Sequence, residues 1–229
     1  MPERFILDIA PSEAISALVY QAPADPEVSL ILGHGAGVGQ NSAFMVKFAA
    51  ALAERGIETI TFNFAYTEAG RRVPDRNDRL EAAWRRVIAG YRSGEFGAHA
   101  RRLAIGGKSM GGRIASQVAA TEGESNGGGI AGLVFLGYPL HPPGRPEKLR
   151  SAHLPKIRAP MLFVQGSRDT FGTPEELRPI LATLNAPAEL CMIEDGDHSF
   201  KVRKTAPLSQ AAVFDFILDT VERWLRALP

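Results

Sequence analysis

Apolar runs alternate along this chain with segments whose apolar residues recur every three or four positions. Six of the runs are apolar almost throughout and predict strands: "VSLILGHG", "IETITFNF", "RLAIGG", "IAGLVFLGYP", "APMLFVQG" and "AELCMIEDG". Solid apolar strands are typical of a sheet that helices cover on both faces. Near the start, "FILDI" and "ISALVY" flank Pro11 and Ser12 and predict a short hairpin.

Helical spacing marks the segments between these strands. One apolar stripe ends before Gly56, which we expect just past the helix end, and another runs from Asp78 to Tyr91. Residues 173–176 read Thr-Pro-Glu-Glu, a helix start with a capping box, and a last stripe covers residues 213–228. The alternation predicts an α/β fold in a single domain, residues 1–229, with a mostly parallel sheet of about eight strands, helices on both faces and little or no cap.

Composition and charge narrow the range of partners. Hydrophobic residues make up 45% of the chain, enough for a large core, and 26 basic against 25 acidic residues leave a net charge of +1. This small net charge therefore gives no strong long-range attraction to nucleic acid or to an anionic membrane. Cys191 is the only cysteine, which excludes an internal disulfide, and "MPERFILDIA" does not resemble a signal peptide. We expect a cytoplasmic protein with no nucleic-acid and no membrane partner.

The candidate chemistry begins at Ser109. Residues 107–111 read Gly-Lys-Ser-Met-Gly, which matches G-x-S-x-G, directly after a predicted strand and at the start of a predicted helix. That context is the one in which a nucleophile elbow exposes a serine above the sheet. The alternative is a glycine turn with an incidental serine. We expect the elbow to point Lys108 away from the nucleophile.

Two backbone N–H groups are candidates for an oxyanion hole. "HGAG" follows the first long strand and resembles the motif that supplies one of them, which we assign to Ala36, with Gly37 as the alternative. Met110, at the start of the helix after Ser109, supplies the other. His34 is interpreted as structural because it lies beside the donor.

An acid and a histidine follow in the order that this chemistry uses. Asp169 in "FVQGSRDTFG" comes directly after a predicted strand, and His198 in "EDGDHSF" comes after the last one. The order Ser-Asp-His is the chain order of the α/β-hydrolase architecture. The alternative for Asp169 is a loop carboxylate making local turn bonds, with Asp195 and Asp197 as rival acids. His141 in "YPLHPP" follows a strand end and could approach the site.

These residues resemble the α/β-hydrolase superfamily, and more closely its small, lid-poor, dienelactone-hydrolase-like members. The motifs "GHGAG", "FNFAYTEAGRRVPDR", "GGKSMGGRIAS", "YPLHPPGRPEKLR", "VQGSRDTFGTPEEL" and "GDHSF" look like the subfamily that includes testis-expressed protein 30 and a nonspecific-lethal complex subunit. The resemblance implies a hydrolase site at Ser109, Asp169 and His198. True dienelactone hydrolases use a cysteine where this chain has Ser109, which argues against dienelactone chemistry.

Together these features predict a serine hydrolase that cleaves an ester or thioester of a small soluble substrate without a cofactor. No Cys/His cluster has metal-ligand spacing, so we expect no metal. Arg71 and Arg72 follow a strand end and are candidates to bind a substrate carboxylate, the alternative being a solvated loop. Acyl transfer and a non-catalytic interaction module are the other functions left open, as is the oligomeric state.

Overall fold

Strands and helices alternate through the parts of the chain that the structure, a computed structural model, describes: residues 1–97, 100–122 and 129–229. The strands are β1 (Glu3–Ala10), β2 (Glu13–Tyr20), β3 (Val28–Gly33), β4 (Glu58–Phe62), β5 (Arg102–Lys108), β6 (Ile130–Leu136), β7 (Met161–Gly166) and β8 (Ala188–Ile193). The helices are α1 (Ala43–Glu54), α2 (Ala65–Glu68), α3 (Asn77–Ser93), α4 (Met110–Glu122), α5 (Pro174–Leu181) and α6 (Gln210–Arg226). His99 and most of the glycine-rich stretch "EGESNGGGI" lie outside the described residues.

The eight strands form one sheet in the order β1-β2-β4-β3-β5-β6-β7-β8. The strands β1 and β2 run antiparallel to their neighbours, whereas β4, β3 and β5 through β8 are parallel to one another. The predicted fold class, a mostly parallel eight-stranded α/β sheet, is therefore confirmed. Between β6 and β7, where a cap could be inserted, the regular structure is one 3₁₀ turn at Leu154–Lys156, so the fold carries little or no cap.

Helices cover both faces of this sheet. The side chains of Leu30 and Ala104 pack with α1 and α6 on one face. Their strand neighbours Ile31 and Ile105 pack with α3 and α4 on the other. Because both side-chain directions are buried, β3 and β5 read as solid apolar runs in the sequence.

Local chemistry sets several element ends. A left-handed Ser12 (φ 66°) turns β1 into β2, and Gly56 (φ 82°) follows the last turn of α1. Thr173 caps α5: its hydroxyl accepts the Glu176 N–H while the Glu176 carboxylate accepts the Thr173 N–H. These ends lie where the sequence places them, because Gly and a capping box act through the backbone within a few residues.

Two features differ from the expectation. The strand β8 is an edge strand, so Cys191 is only half-buried and Met192 keeps 40% of its surface exposed. The short helix α2 was not predicted, since a four-residue turn has no apolar period to reveal it.

The parallel arrangement places the site. Strands β3 and β5 through β8 end at the same edge of the sheet, at Gly33, Lys108, Leu136, Gly166 and Ile193. In open α/β sheets ligands bind outside the carboxyl ends of the strands, so the loops after these strands frame the candidate site. None of the helices in the described residues is both long and apolar enough to cross a membrane.

Candidate active site

Ser109 occupies a tight turn between β5 and α4. Its backbone is left-handed, with φ 52°, and its N–H donates to the Leu136 carbonyl at 3.0 Å. The turn passes so close to β3 that a Cβ on Gly107 or Gly111 would lie 2.3 or 2.1 Å from the Gly33 oxygen. Both positions therefore require glycine, and the strand–turn–helix geometry is that of a nucleophile elbow.

A chain of hydrogen bonds links three of the predicted residues. His198 Nε2 lies 2.8 Å from Ser109 Oγ, and His198 Nδ1 lies 2.8 Å from Asp169 Oδ2. A carboxylate only accepts, so the Nδ1–H donates to Asp169 and leaves Nε2 free to accept the serine hydroxyl. This is the tautomer in which a histidine can take a proton from serine.

Buried hydrogen bonds hold the carboxylate of Asp169, which is 1% exposed. Its Oδ1 accepts the Phe171 N–H at 2.8 Å, and its Oδ2 also accepts the Gln165 side-chain amide at 2.8 Å. With His198 Nδ1–H as a third donor, the buried carboxylate accepts three hydrogen bonds, which compensate for its removal from water.

The rival acids, Asp195 and Asp197, are engaged elsewhere. The Asp195 carboxylate lies 2.9 Å from Arg168 Nε and accepts the Arg203 N–H. Asp197 Oδ1 accepts the N–H groups of Ser199 and Lys201. Both carboxylates shape the turn that carries His198, and the structure brings Asp169 to the imidazole.

The two candidate oxyanion donors border the serine. Met110 is the first residue of α4, where an N–H has no acceptor within the helix. The loop that carries Ala36 passes beside the nucleophile, since a Cβ on Gly35 would lie 3.8 Å from Ser109 Cβ. Ala36, Met110 and Ser109 line the same cleft.

His34 stabilises the loop that carries Ala36 through hydrogen bonds to the backbone. Its Nδ1–H donates to the Gly35 carbonyl at 2.8 Å, and its Nε2 accepts the Phe64 N–H at 3.3 Å. Burial lowers the pKa of His34 to about 4, so the ring is neutral near pH 7 and can both donate and accept. The structural interpretation of His34 fits these contacts.

The sequence did not predict that two further side chains, those of Phe171 and Lys108, lie at the site. The Phe171 ring packs on the His198 imidazole with centroids 4.2 Å apart and an angle of 31° between the planes. Lys108 does not point away: it lines the cleft, and its Nζ donates to the His198 carbonyl. Burial lowers the pKa of Lys108 to about 8, while the charges of Asp169 and Asp197 oppose that shift. The motif G-x-S-x-G leaves this position unrestricted, so no signal identifies it.

The cleft above Ser109 has a volume of about 490 Å³, within the range of small-molecule sites. Its lining includes apolar side chains, the lysine just described and two arginines: Val38, Leu80, Met110, Phe171, Lys108, Arg113 and Arg150. The arginines of this cleft are thus not the ones that the sequence singled out.

The predicted binding residues lie outside that lining. Arg71 and Arg72 are exposed, and Arg71 pairs with Asp75 at 2.7 Å. His141 is buried, with Nδ1 2.9 Å from the Pro142 carbonyl and Nε2 3.3 Å from Glu176. The structure therefore does not bring these three side chains to Ser109. Within the described residues, no group of three or more metal-ligating side chains occurs.

Comparison with known families agrees with this architecture. A family model described as an alpha/beta hydrolase domain matches residues 26–226, most of the chain. The chain belongs to the alpha/beta hydrolase family. Membership of this family supports a hydrolase.

Solved alpha/beta hydrolases superpose on nearly the whole molecule. A serine hydrolase without a lid from Xanthomonas campestris is 23% identical, with a TM-score of 0.73 over 100% of this chain and 97% of its own. A serine hydrolase homologue from Coxiella burnetii is 18% identical, with a TM-score of 0.73 over 97% of each chain. A dienelactone hydrolase from Anabaena variabilis is also 18% identical, with a TM-score of 0.72 over 99% of this chain and 98% of its own. At these identities the likeness is one of fold.

Proposed function

We propose that this alpha/beta hydrolase is a serine hydrolase that cleaves esters or thioesters of small soluble molecules through an acyl-enzyme on Ser109. The observation that carries the proposal is the continuous chain Ser109–His198–Asp169, with both hydrogen bonds at 2.8 Å. Nucleophile, base and orienting acid must be in mutual contact for this chemistry, and all three lie at the edge of the sheet where ligands bind.

The mechanism follows from the atoms in contact. Ser109 Oγ attacks the carbonyl carbon while His198 Nε2 takes the hydroxyl proton, and Asp169 stabilises the resulting imidazolium. The carbonyl oxygen gains negative charge, which the N–H groups of Ala36 and Met110 bind. Collapse expels the alcohol or thiol with the proton from His198. Water then attacks the acyl-enzyme by the same route, releases the acid and returns the proton to Ser109.

The cleft favours compact substrates. It holds about 490 Å³, and the connection between β6 and β7 contains one 3₁₀ turn and no helical cap that would enclose a long acyl chain. The reaction needs no cofactor, because every proton and charge has a protein group to take it. The subfamily resemblance to testis-expressed protein 30 rests on the sequence motifs and stays part of this proposal, as does the argument that a serine nucleophile disfavours dienelactone chemistry.

Covalent labelling tests this function. A fluorophosphonate probe should modify the full-length protein at Ser109, as read by peptide mass spectrometry, and the protein should hydrolyse para-nitrophenyl acetate. Ser109→Ala should lose both properties. Ser199→Ala is the matched control, because Ser199 lines the same cleft but lies outside the hydrogen-bonded chain. Modification of another residue, or a folded parent that is neither labelled nor active, contradicts the proposal.

A further inference from the structure

Arg113 and Arg150 bring two guanidinium groups to the cleft that holds Ser109. Arg113 lies one helical turn after the nucleophile, and its N–H donates to the Ser109 carbonyl at 3.1 Å. Arg150 comes from the β6–β7 connection, where its N–H donates to the Leu140 carbonyl and its own carbonyl accepts the Tyr138 hydroxyl. Both backbones are thus fixed beside the site. We call these two residues the arginine pair.

The arginine pair has no carboxylate partner within ion-pair distance among the described residues. Among the described residues, the hydrogen bonds of the Arg113 guanidinium go only to neutral amide oxygens, those of Gln117 at 3.3 Å and Asn77 at 3.4 Å. Other partly buried arginines of the described chain each pair with an acid: Arg55, Arg86, Arg102 and Arg168. The arginine pair is therefore exceptional, because the other half-buried arginines of the described chain form ion pairs with an acid.

The two positive charges also act on each other. Burial, followed by the charge of Arg150, lowers the pKa of Arg113. Two guanidinium groups held close enough to repel are a common arrangement for binding an anion, since a guanidinium offers paired N–H donors that match a carboxylate or a phosphate.

Other charges that face the cleft do not cancel the pair. Lys108 adds a further cation, with its Nζ on the His198 carbonyl. Asp75 is the acid among the lining residues of the described chain, and Arg71 neutralises it at 2.7 Å. The cleft thus keeps an excess of positive charge although the whole chain has a net charge of only +1.

We propose that the arginine pair binds an anionic oxygen group, a carboxylate or a phosphate, on the ester that Ser109 attacks. This inference rests on the proposed function and names its substrate class: small esters or thioesters that carry a negative charge on the acyl or the leaving side. It moves the anion-binding role from Arg71 and Arg72, which the sequence suggested, to two residues that line the cleft.

The test compares charged and neutral substrates of one shape. On the leaving side, para-acetoxybenzoate is compared with its methyl ester; on the acyl side, mono-para-nitrophenyl adipate is compared with its methyl ester. Para-acetoxyphenyl phosphate then separates a phosphate preference from a carboxylate preference. The readout is the ratio of kcat/KM for the charged and neutral members within one variant, so that a general loss of activity cancels.

In the parent, the charged member of at least one comparison should be favoured by about ten- to a hundredfold, the usual effect of a charge-assisted hydrogen bond. Arg113→Gln/Arg150→Gln should reduce that ratio to near one. Arg145→Gln/Arg178→Gln removes the same net charge from exposed positions outside the cleft and should keep the ratio. Added salt should lower the ratio in the parent.

Three results would overturn the inference: a parent without preference for any charged member, a preference that survives in Arg113→Gln/Arg150→Gln, or one that disappears in Arg71→Gln/Arg72→Gln instead. Each of them leaves hydrolysis of the neutral esters in place. Failure of the proposed function is a different result, since then neither the charged nor the neutral esters are cleaved and Ser109 is not labelled.

Discussion

The cleft has two sides that differ in how their polar groups are satisfied. On the side formed by Ser109, Asp169 and His198, the serine hydroxyl and both imidazole nitrogens have protein partners, and the carboxylate of Asp169 accepts three hydrogen bonds. On the side formed by the arginine pair, the guanidinium of Arg113 has only amide oxygens as hydrogen-bond partners among the described residues. The first side is complete without a ligand, whereas the second leaves a charge for a ligand to neutralise.

Under the proposed function, this difference separates the groups that react from the groups that recognise the substrate. Groups that move a proton must be preorganised, because reorganisation at the moment of reaction would cost rate. Groups that recognise a substrate can bind it more tightly when they have no partner in the free protein, because a desolvated charge without a counter-charge strongly prefers an oppositely charged ligand. We therefore expect variants on the first side to lower turnover of all esters, and variants on the second side to change which esters are preferred.

The largest effect should come from Ser109→Ala. Removing the nucleophile should lower kcat for para-nitrophenyl acetate by about 10⁶-fold, because the loss of one triad member disables the unit. The circular dichroism spectrum and the melting temperature should stay near those of the parent. Turnover by the variant at the parental rate would show that the chemistry lies elsewhere.

Asp169→Asn should rank next. It keeps the shape of the side chain but removes the charge that holds the imidazole, and kcat should fall by about 10⁴-fold. Asp195→Asn and Asp197→Asn are the matched controls, and each should lower kcat by far less. If either control is the more damaging, the acid has been assigned to the wrong residue.

Lys108→Met should have an intermediate effect on both rate and stability. Loss of the Nζ contact with the His198 carbonyl should lower kcat by about tenfold, the cost of one charge-assisted hydrogen bond. The pKa of Lys108 is about 8 in the fold, below the usual lysine value, so the unfolded chain binds more protons than the folded chain between pH 8 and the usual lysine range. Over that interval the parent should gain stability with rising pH.

Urea denaturation at several pH values from about 8 to 10 measures this slope. The parent should become more stable relative to Lys108→Met as the pH rises, because the variant lacks the titrating group. Equal slopes in the two proteins would mean that Lys108 keeps an ordinary pKa and does not sit in a desolvated position.

The smallest effect on activity should come from Arg72→Gln. Arg72 is exposed and outside the cleft lining, so kcat/KM for both charged and neutral esters should stay within about twofold, as for most surface substitutions. Paired measurements on the two para-acetoxybenzoate substrates check this. A selective loss with the charged ester would return the anion-binding role to the loop that the sequence suggested.

The two sides also differ in how well the sequence predicts them. Ser109 directly follows β5, and Asp169 and His198 come within a few residues of the ends of β7 and β8. Because parallel strands end at one edge of the sheet, a linear pattern places the three residues together. Among three nearby acids, Asp169 was favoured because it follows β7 directly, and it is the carboxylate that reaches His198. Strand periodicity and element order were enough for the sheet and for this part of the site.

The arginine pair was not predictable in the same way. Arg113 lies on α4 in a sequence that reads as an ordinary helix, and Arg150 ends a 13-residue stretch after Gly137 that has no apolar period. Arg71 was a candidate because it follows β4, with a solvated loop as the alternative, but the unpredicted helix α2 intervenes and the side chain pairs with Asp75. Where a side chain points after an irregular segment depends on tertiary contacts that leave no pattern in the sequence.

The guanidinium of Arg113, which has no carboxylate partner among the described residues, has a consequence for the evolution and engineering of this fold. Burial lowers the pKa of Arg113, which means that the charged guanidinium is less stable in the folded chain than in water. The desolvation of this charge therefore opposes folding. Replacing Arg113 by a neutral residue of similar length should therefore raise thermal stability while weakening substrate choice. Selection for heat resistance alone would favour the loss of this arginine, whereas its retention under such selection would indicate a need for the anionic substrate proposed above.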